Sequence, residues 1–340
     1  MPNFEKLNNP TDGQVITFQD GKPIVPDNPI VPFIRGDGTG VDIWPATQKV
    51  IDASIKYSYR DKRKINWFKI YAGDEACDMY GTYNYLPDDT IEAIRHYGVA
   101  IKGPLTTPVG GGIRSLNVAL RQIFDLYSCV RPCKYYSGTP SPHKSPEDLD
   151  IIVYRENTED IYMGIEWEAK DENCINLVKY INDNVIPKSP KLKNRSLPLN
   201  AGIGIKPVSK FGSQRHIRKA IEHAKQLSGK KRHVTLVHKG NIMKFTEGAF
   251  RDWGYELVIN EFRDDCITER ESWILDNLEK NHEISIENNA RLIEPGFNKL
   301  TNSKRNDICE EIKHVISSIG DSHGKNNWKN LVLVDDRIAD

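Results

Sequence analysis

The sequence lacks any apolar stretch approaching the ~18 residues that a membrane-spanning helix needs. Its polar N-terminal residues 1–13 also lack the apolar segment of a signal peptide. Positive and negative charges balance, with 47 Lys plus Arg and 47 Asp plus Glu, which argues against a chain built as a whole to hold nucleic acid. We therefore expect a folded cytoplasmic protein with neither a membrane nor a nucleic-acid partner.

Cysteine is also sparse, with six residues scattered along 340 positions. Cys129 and Cys133 are too far apart for a C-x-x-C pair, and no second Cys/His pair completes a zinc ligand set. Reduced thiols in a reducing compartment are therefore expected.

Short apolar runs alternate with helical segments and glycine turns, which is typical of a layered α/β fold. Ile30–Ile34 predicts a buried strand, although Pro32 would place it at a sheet edge. The following turn, Gly36–Gly40, has the spacing G-x-G-x-G and not G-x-G-x-x-G, so it does not predict a Rossmann nucleotide site. Its glycines would still let a cofactor approach the backbone.

Two segments are assigned no catalytic or binding role. Residues 168–200 are rich in Lys, Asn and Pro and predict a protruding element. Residues 262–331 carry apolar side chains at helical spacing, among them Ile267, Trp273 and Ile274, and are interpreted as an accessory insert.

The most informative segment is 105–121, where a glycine-rich turn opens into a short helix. Free N–H groups and the positive dipole end of a helix attract anions. Ser115 stands where an N-cap serine would, and Arg114, Asn117 and Arg121 share one helical stripe. The segment could grip a small polyanion, while a capped helix with solvated arginines is the ordinary alternative.

Three arginines, Arg121, Arg131 and Arg155, are predicted on a helix, on a strand and at another strand's end. A guanidinium group binds a carboxylate through two parallel hydrogen bonds, so convergence of the three would suit a di- or tricarboxylate. The alternative is a set of scattered surface ion pairs.

Other side chains offer proton or metal chemistry. Tyr162 is a candidate proton donor if a cation lies near it, and Lys239, on a turn after a strand, is a candidate general base. A C-terminal cluster of carboxylates suits a hard cation such as Mg²⁺ or Mn²⁺: Asp335, Asp336 and Asp340. A half-buried tyrosine and a surface lysine are the plain alternatives.

Three stretches, 102–136, 155–162 and 234–250, resemble bacterial NADP-dependent isocitrate dehydrogenases. The resemblance covers about residues 14–261 and resumes at about 331–340, and the segment between is similar to an insert of cyanobacterial members. It implies the isocitrate/isopropylmalate dehydrogenase fold, an α/β/α sandwich that is not a Rossmann fold.

The resemblance also implies roles for individual residues. The carboxylates of isocitrate would be held by Ser115, Asn117, Arg121, Arg131 and Arg155. Tyr162 would protonate the enolate carbon after decarboxylation, and Lys239 would help to remove the hydroxyl proton. The nicotinamide side of NADP would be lined by Lys102 and Thr107, with Asn241 nearby. Asp340 would bind Mg²⁺ or Mn²⁺ in the site of the other subunit.

The implied reaction is the tricarboxylic acid cycle step that converts isocitrate to 2-oxoglutarate and CO₂. Hydride would pass from C2 to NADP⁺ to give oxalosuccinate, and the metal would polarise the new carbonyl while CO₂ leaves. Tyr162 and Lys239 of one site would come from different subunits, which implies a homodimer. Ser115 matches a serine that some members have phosphorylated, where a phosphate would repel the substrate carboxylate.

The domain organisation implied by the resemblance has three parts: a large domain at 1–126 (its N-terminal part only), a small domain at 127–159 and 205–340 with the insert at about 262–331, and a clasp at 160–204. Family members continue past Asp340, where two more metal aspartates and most adenosine contacts would lie. We expect a chain that ends there to have little dehydrogenase activity. The resemblance also implies that the segment that selects NADP over NAD would lie beyond Asp340.

Besides a piece of an ordinary isocitrate dehydrogenase, two alternatives stay open. One is a related enzyme for another 2-hydroxy acid, such as isopropylmalate or homoisocitrate, although Ser115 and Asn117 disagree with the apolar pocket that isopropylmalate needs. The other is a truncated, non-catalytic subunit that pairs with a full-length partner through residues 160–204.

Overall fold

The computed structural model describes residues 1–106, 115–192, 194–227, 232–320 and 327–339. The chain divides into two compact units, Met1–Leu126 and Tyr127–Asp340. None of the helices in the described ranges is both long and apolar enough to cross a membrane.

The first unit mixes short strands with helices. Its strands are β1 (Thr17–Gln19), β2 (Lys22–Ile24), β3 (Ile30–Ile34), β4 (Asn66–Lys69) and β5 (Ile101–Lys102). Its helices are α1 (Gly40–Tyr59), α2 (Asp74–Tyr80), α3 (Asp88–Tyr97) and α4 (Leu116–Ile123). α1 begins at Gly40, the last residue of the glycine-rich turn that follows β3.

The parallel sheet of this unit has the order β4-β3-β5, so β3 is its central strand and the predicted edge position of Pro32 is wrong. The backbone N–H groups of Asn66 and Ile70 donate to the carbonyls of Pro29 and Phe33. The backbone hydrogen-bonding groups of the odd-numbered residues of β3 therefore point toward β4. The nitrogen of Pro32 therefore faces the other side, where β5 pairs only with Phe33 and Ile34. Proline is tolerated because its missing N–H lies before β5 begins.

The turn after β3 is packed against the protein's own backbone. A Cβ on Gly36, whose φ is +88°, would lie 2.2 Å from the carbonyl oxygen of Pro104. A Cβ on Gly103 would likewise lie 2.0 Å from the carbonyl oxygen of Arg35. Glycine is needed here for close approach of two chain segments. The approach of a cofactor to this turn stays a prediction.

A buried aspartate in the same turn holds the backbone at Asp74 and at Thr106. The carboxylate of Asp37 accepts hydrogen bonds from the backbone N–H groups of Asp74 (3.0 Å) and Thr106 (2.9 Å). Leu116 and Leu120 of α4 pack into the core formed with the sheet and α3. This packing fixes which face of α4 stays accessible.

The second unit begins with an antiparallel hairpin and continues into a parallel sheet. Its strands are β6 (Ser128–Lys134), β7 (Asp150–Glu156), β8 (Glu166–Trp167), β9 (Ile203–Gly204), β10 (His233–His238), β11 (Cys266–Thr268) and β12 (Val332–Ile338). Its helices are α5 (Glu172–Tyr180), α6 (Lys210–Gln226), α7 (Glu247–Glu261), α8 (Glu269–Lys280), α9 (Ile286–Ile293) and α10 (Asn302–Val315). β6 pairs with β7 and β8 with β9, and the parallel sheet has the order β10-β12-β11.

The segment interpreted as an accessory insert contributes to this parallel sheet. Ile267 belongs to the buried strand β11, which pairs with β12, and not to a helix with Trp273 and Ile274 as its spacing predicted. Thr268 caps α8 through a capping box with Glu271, and this signal separates strand from helix. The helices α8, α9 and α10 bury an apolar core of their own.

Gly36→Ala is expected to destabilise the chain more than Gly38→Ala. Both glycines have positive φ, +88° and +52°, so both substitutions carry a left-handed backbone cost of about 1 kcal/mol. Only at Gly36 would the new Cβ clash with backbone, because nothing lies within 4 Å of the corresponding position at Gly38. Urea unfolding should show a further loss of at least about 2 kcal/mol for Gly36→Ala, and equal losses would contradict this packing.

Candidate active site

The accessible face of α4 carries the predicted anion-binding side chains of the first unit. Asn117 and Arg121 are one helical turn apart and half-buried, because Leu116 and Leu120 face the core. Ser115 occupies the N-cap position as predicted, but its hydroxyl does not cap the helix. The position was predictable from the sequence, whereas the missing cap is a finding of the structure.

Lys102, at the end of β5, lies close enough to Arg121 for their charges to interact. Desolvation of the ammonium group, followed by the Arg121 cation, lowers the pKa of Lys102. Its Nζ donates a 2.6 Å hydrogen bond to the carbonyl of Gly103. Two neighbouring cations repel each other, and a polyanion bound between them would relieve that repulsion. Thr107 and Arg114 lie outside the described residues.

The β6–β7 hairpin places two of the three arginines on one face. Cys129 pairs directly with Arg155, and Arg131 pairs with Val153, so Arg131 and Arg155 are diagonal neighbours on the same side of the hairpin. The Nε group of Arg131 donates a 3.3 Å hydrogen bond to the Sγ atom of Cys129. The hairpin therefore presents a doubly cationic face.

Tyr162 lies against this face. Its ring centroid is 4.6 Å from the guanidinium carbon of Arg155. The hydrogen bond with Cys129 is the largest cause that raises the pKa of Arg131, and the nearby Tyr162 contributes to the same shift. The structure thus brings together three of the predicted residues: Arg131, Arg155 and Tyr162.

Two nitrogen atoms of the Arg155 guanidinium group differ in their hydrogen bonding. Nη2 donates a 3.0 Å hydrogen bond to the Oδ1 atom of Asn157. The Nε atom is buried and has no hydrogen-bond partner among the described residues. A buried donor without an acceptor is costly, and a bound carboxylate would supply the acceptor.

The loop after β7 is held by carboxylates that the sequence analysis did not single out. Glu156 accepts hydrogen bonds from the backbone N–H of Thr158 (2.7 Å) and of Glu159. Glu159 in turn accepts one from the N–H of Ser209 (2.8 Å), at the start of α6. These bonds fix the path of the chain between Arg155 and Tyr162.

Lys239 and Asn241 lie in the turn that follows β10. The Lys239 carbonyl accepts hydrogen bonds from the N–H groups of Ile242 (3.1 Å) and Met243 (3.0 Å). Its own N–H donates to Oε2 of Glu247 at 2.9 Å. The exposed carboxamide of Asn241 has no hydrogen-bond partner within the described part of the chain.

The predicted carboxylate cluster at the C-terminus is wrong for two of its members. Asp335 and Asp336 are successive residues of β12, so their side chains point to opposite faces. Asp335 is buried beside His233 and Arg337, and Asp336 accepts hydrogen bonds from His238 (3.0 Å) and Tyr255 (2.7 Å). Both are structural.

The third member of that cluster, Asp340, lies outside the described residues. Within the described ranges, no three His, Cys, Asp or Glu side chains are grouped so that they could hold a metal ion.

A cavity of about 630 Å³ lies at the amino ends of β10 and β12, opposite the end of β10 that carries Lys239. Its polar lining is already paired. Arg232 donates to the Asn330 carbonyl, and Lys329 forms an ion pair with Glu279. The cavity contains none of the predicted site residues.

The family model described as isocitrate/isopropylmalate dehydrogenase matches residues 30–281. The chain belongs to this family. The match confirms the predicted α/β fold class and the oxidoreductase family. Arg121 lies in the first unit and Arg131 and Arg155 in the second, so convergence of all three arginines stays a prediction.

Similar proteins in this family carry a more specific name. The isocitrate dehydrogenase [NADP] of Nostoc sp. is 66% identical over 337 residues, which cover 99% of this chain and 71% of that protein. The one of Synechocystis sp. is 64% identical over the same shares. The crystal structure of isocitrate dehydrogenase from Methylococcus capsulatus is 36% identical, with a TM-score of 0.53, and the match covers 68% of this chain and 57% of that one.

The back face of the hairpin packs on α6 through a buried histidine. The Tyr154 hydroxyl is hydrogen-bonded to His223, and its ring meets His216 edge-on at 6.4 Å. Burial lowers the pKa of His216, and the opposing attraction of Glu156 does not offset it. The ring is therefore kept neutral beneath the face that carries Arg155.

His216→Gln is expected to reduce the loss of stability in mild acid. Below pH ~6.5 the unfolded chain takes up a proton that the buried ring resists, so the free energy of unfolding falls as pH falls. Each unit by which the pKa of His216 is lowered contributes about 1.4 kcal/mol to that fall. Urea unfolding at pH 7 and pH 5 measures it. His143→Gln, on an exposed loop, is the control, and identical pH slopes for the two variants would contradict the argument.

Proposed function

We propose that this chain carries the isocitrate site of an NADP-dependent isocitrate dehydrogenase, which converts isocitrate to 2-oxoglutarate and CO₂. The observation that supports this most is the cluster of Arg131, Arg155 and Tyr162, in which the buried Nε atom of Arg155 has no acceptor among the residues that the structure describes. The names of the two highly identical relatives support the choice of substrate and cofactor.

The proposal assigns the carboxylates of isocitrate to cationic and polar side chains. Arg131 and Arg155 offer paired N–H donors from one face of the hairpin, a geometry that matches carboxylates. Arg121, Asn117 and Ser115 would hold a further carboxylate from α4. The half-buried polar positions of α4 disfavour isopropylmalate, which has an apolar group in place of that carboxylate.

Tyr162 is assigned the role of proton donor to the carbon that loses CO₂. The guanidinium group over its ring, 4.6 Å away, would stabilise the phenolate that remains after the proton leaves. Lys239 is assigned the removal of the C2 hydroxyl proton. Its turn is fixed by the bond between its own N–H and Glu247, so its side chain begins from a defined position.

Two of the three predicted cofactor residues, Lys102 and Asn241, lie in the described part of the chain. The cationic pair of Lys102 and Arg121 suits an anionic ligand, and the exposed Asn241 carboxamide is available for an amide partner. Lys102, Thr107 and Asn241 would line the nicotinamide of NADP, which accepts the C2 hydride when it is bound.

Mg²⁺ or Mn²⁺ bound by Asp340 stays a prediction. The ranges that the structure describes contain no matching ligand set, and Asp340 is not among them. No step is therefore assigned to the metal.

A homodimer that pairs through residues 160–204 is also part of the proposal. Exposed apolar side chains in this segment support it, among them Ile161, Tyr180 and Leu199. The division of the second unit into a small domain and a clasp stays a prediction.

Arg155→Ala should weaken isocitrate binding about 10- to 150-fold, because a charge-assisted hydrogen bond contributes about 1.5–3 kcal/mol. Isothermal titration calorimetry of the chain with isocitrate measures the change. Arg218→Ala is the matched control, since this arginine pairs with Glu261 on the exposed side of α6. An unchanged affinity for Arg155→Ala, or preference of the wild-type chain for isopropylmalate, would contradict the proposed function.

A further inference from the structure

One lysine lies between the two turns to which the proton-transfer roles are assigned. The Nζ group of Lys206 is hydrogen-bonded to Asp160 and donates a 2.8 Å bond to Oε1 of Glu247. Its side chain is 27% exposed, and those of Asp160 and Glu247 are 30% and 20% exposed. The three groups form a half-buried charge triad.

The first carboxylate of the triad belongs to the turn that carries Tyr162. Asp160 opens the 3₁₀ turn Asp160–Met163 with a left-handed φ of +59°, which aspartate adopts at a cost. The N–H of Asp160 donates to the carbonyl of Pro207 at 2.9 Å, next to Lys206 in the chain. Two bonds therefore connect this turn to residues 206 and 207.

The second carboxylate holds the turn that carries Lys239. Oε1 of Glu247 accepts from Lys206, while its Oε2 accepts the N–H of Lys239 at 2.9 Å. Burial alone would raise the pKa of Glu247, but these two hydrogen bonds outweigh it and lower that pKa. One carboxylate thus connects the two lysines through its two oxygens.

The triad depends on its single cation. Without Lys206, Asp160 and Glu247 would be two half-buried carboxylates without their shared counter-charge. Burial would lower the pKa of Lys206, yet its bonds to Asp160 and Glu247 raise it, so the amine stays charged. His238 also faces Glu247, but it is already bonded to Asp336 and to the Gly240 N–H.

We propose that Lys206 is a positioning residue that holds the Tyr162 turn and the Lys239 turn in place through Asp160 and Glu247. Because Tyr162 and Lys239 of one chain would serve different sites of the proposed homodimer, Lys206 would support one proton-transfer group in each of the two sites. The inference rests on the proposed function for the roles of Tyr162 and Lys239. In the described contacts, Lys206 touches the guanidinium group of neither Arg131 nor Arg155. We therefore expect it to affect the rate of the proton-transfer steps and not the affinity for the substrate.

Hydrogen–deuterium exchange of the full chain tests this inference. Lys206→Met should raise exchange about tenfold or more in two peptides, the one around residues 158–165 and the one around 238–248. Lys206→Arg, which keeps the charge, should restore protection in both. Lys210→Met is the matched control, because Lys210 pairs with the exposed Glu256 only a few residues further along.

Turnover provides the readout that a purely structural lysine would not change. For Lys206→Met, kcat for isocitrate oxidation should fall at least about tenfold while KM for isocitrate stays within about threefold, and Lys206→Arg should recover most of the rate. If Lys206→Met does not fold, Glu247→Gln, which keeps the shape and removes the charge, should show the same split of kcat and KM.

The outcomes separate the two claims. Unchanged exchange in both turns, a change in only one of them, or equal effects of Lys206→Met and Lys210→Met would overturn the inference. Failure of the wild-type chain to bind isocitrate would count against the proposed function, and the exchange comparison would still decide the role of Lys206. If wild-type turnover is too slow to compare, the exchange comparison alone decides the role of Lys206.

Discussion

The register of the β6–β7 hairpin is the constraint on which the candidate site depends. With Cys129 opposite Arg155, Arg131 and Arg155 share one face, and Tyr154 points to the other face against α6. A slip of one residue would send the two arginines to opposite faces. The half-buried contacts of Tyr154 with His216 and His223 oppose such a slip, so packing beneath the hairpin determines the charge pattern above it.

Half-buried carboxylates then hold the turns that lead from this scaffold. Glu156 and Glu159 hold the loop after Arg155, and Glu247 holds the turn of Lys239. Each carboxylate accepts backbone N–H groups that a loop would otherwise leave to water. Removing any one of these carboxylates would leave donors or charges unpaired. The carboxylates therefore couple the loops of the second unit to one another.

Local patterns predicted much of the fold, and long-range contacts account for what they missed. The strand at residues 30–34 and the N-cap position of Ser115 follow from neighbouring residues and were confirmed. The central position of Pro32 depends on where β5 begins, about 70 residues further along. Lys206 carries no local signature, because its partner Asp160 lies 46 residues away along the chain and Glu247 lies at a similar distance on the other side.

A crystal structure of the chain with isocitrate bound is the most direct test of the central claim. We predict that a substrate carboxylate lies within hydrogen-bond distance of the guanidinium groups of Arg131 and Arg155 and accepts a hydrogen bond from the Nε group of Arg155. We also expect the Tyr162 hydroxyl to point at the carbon that loses CO₂. Isocitrate bound elsewhere, with that Nε still without an acceptor, would contradict it.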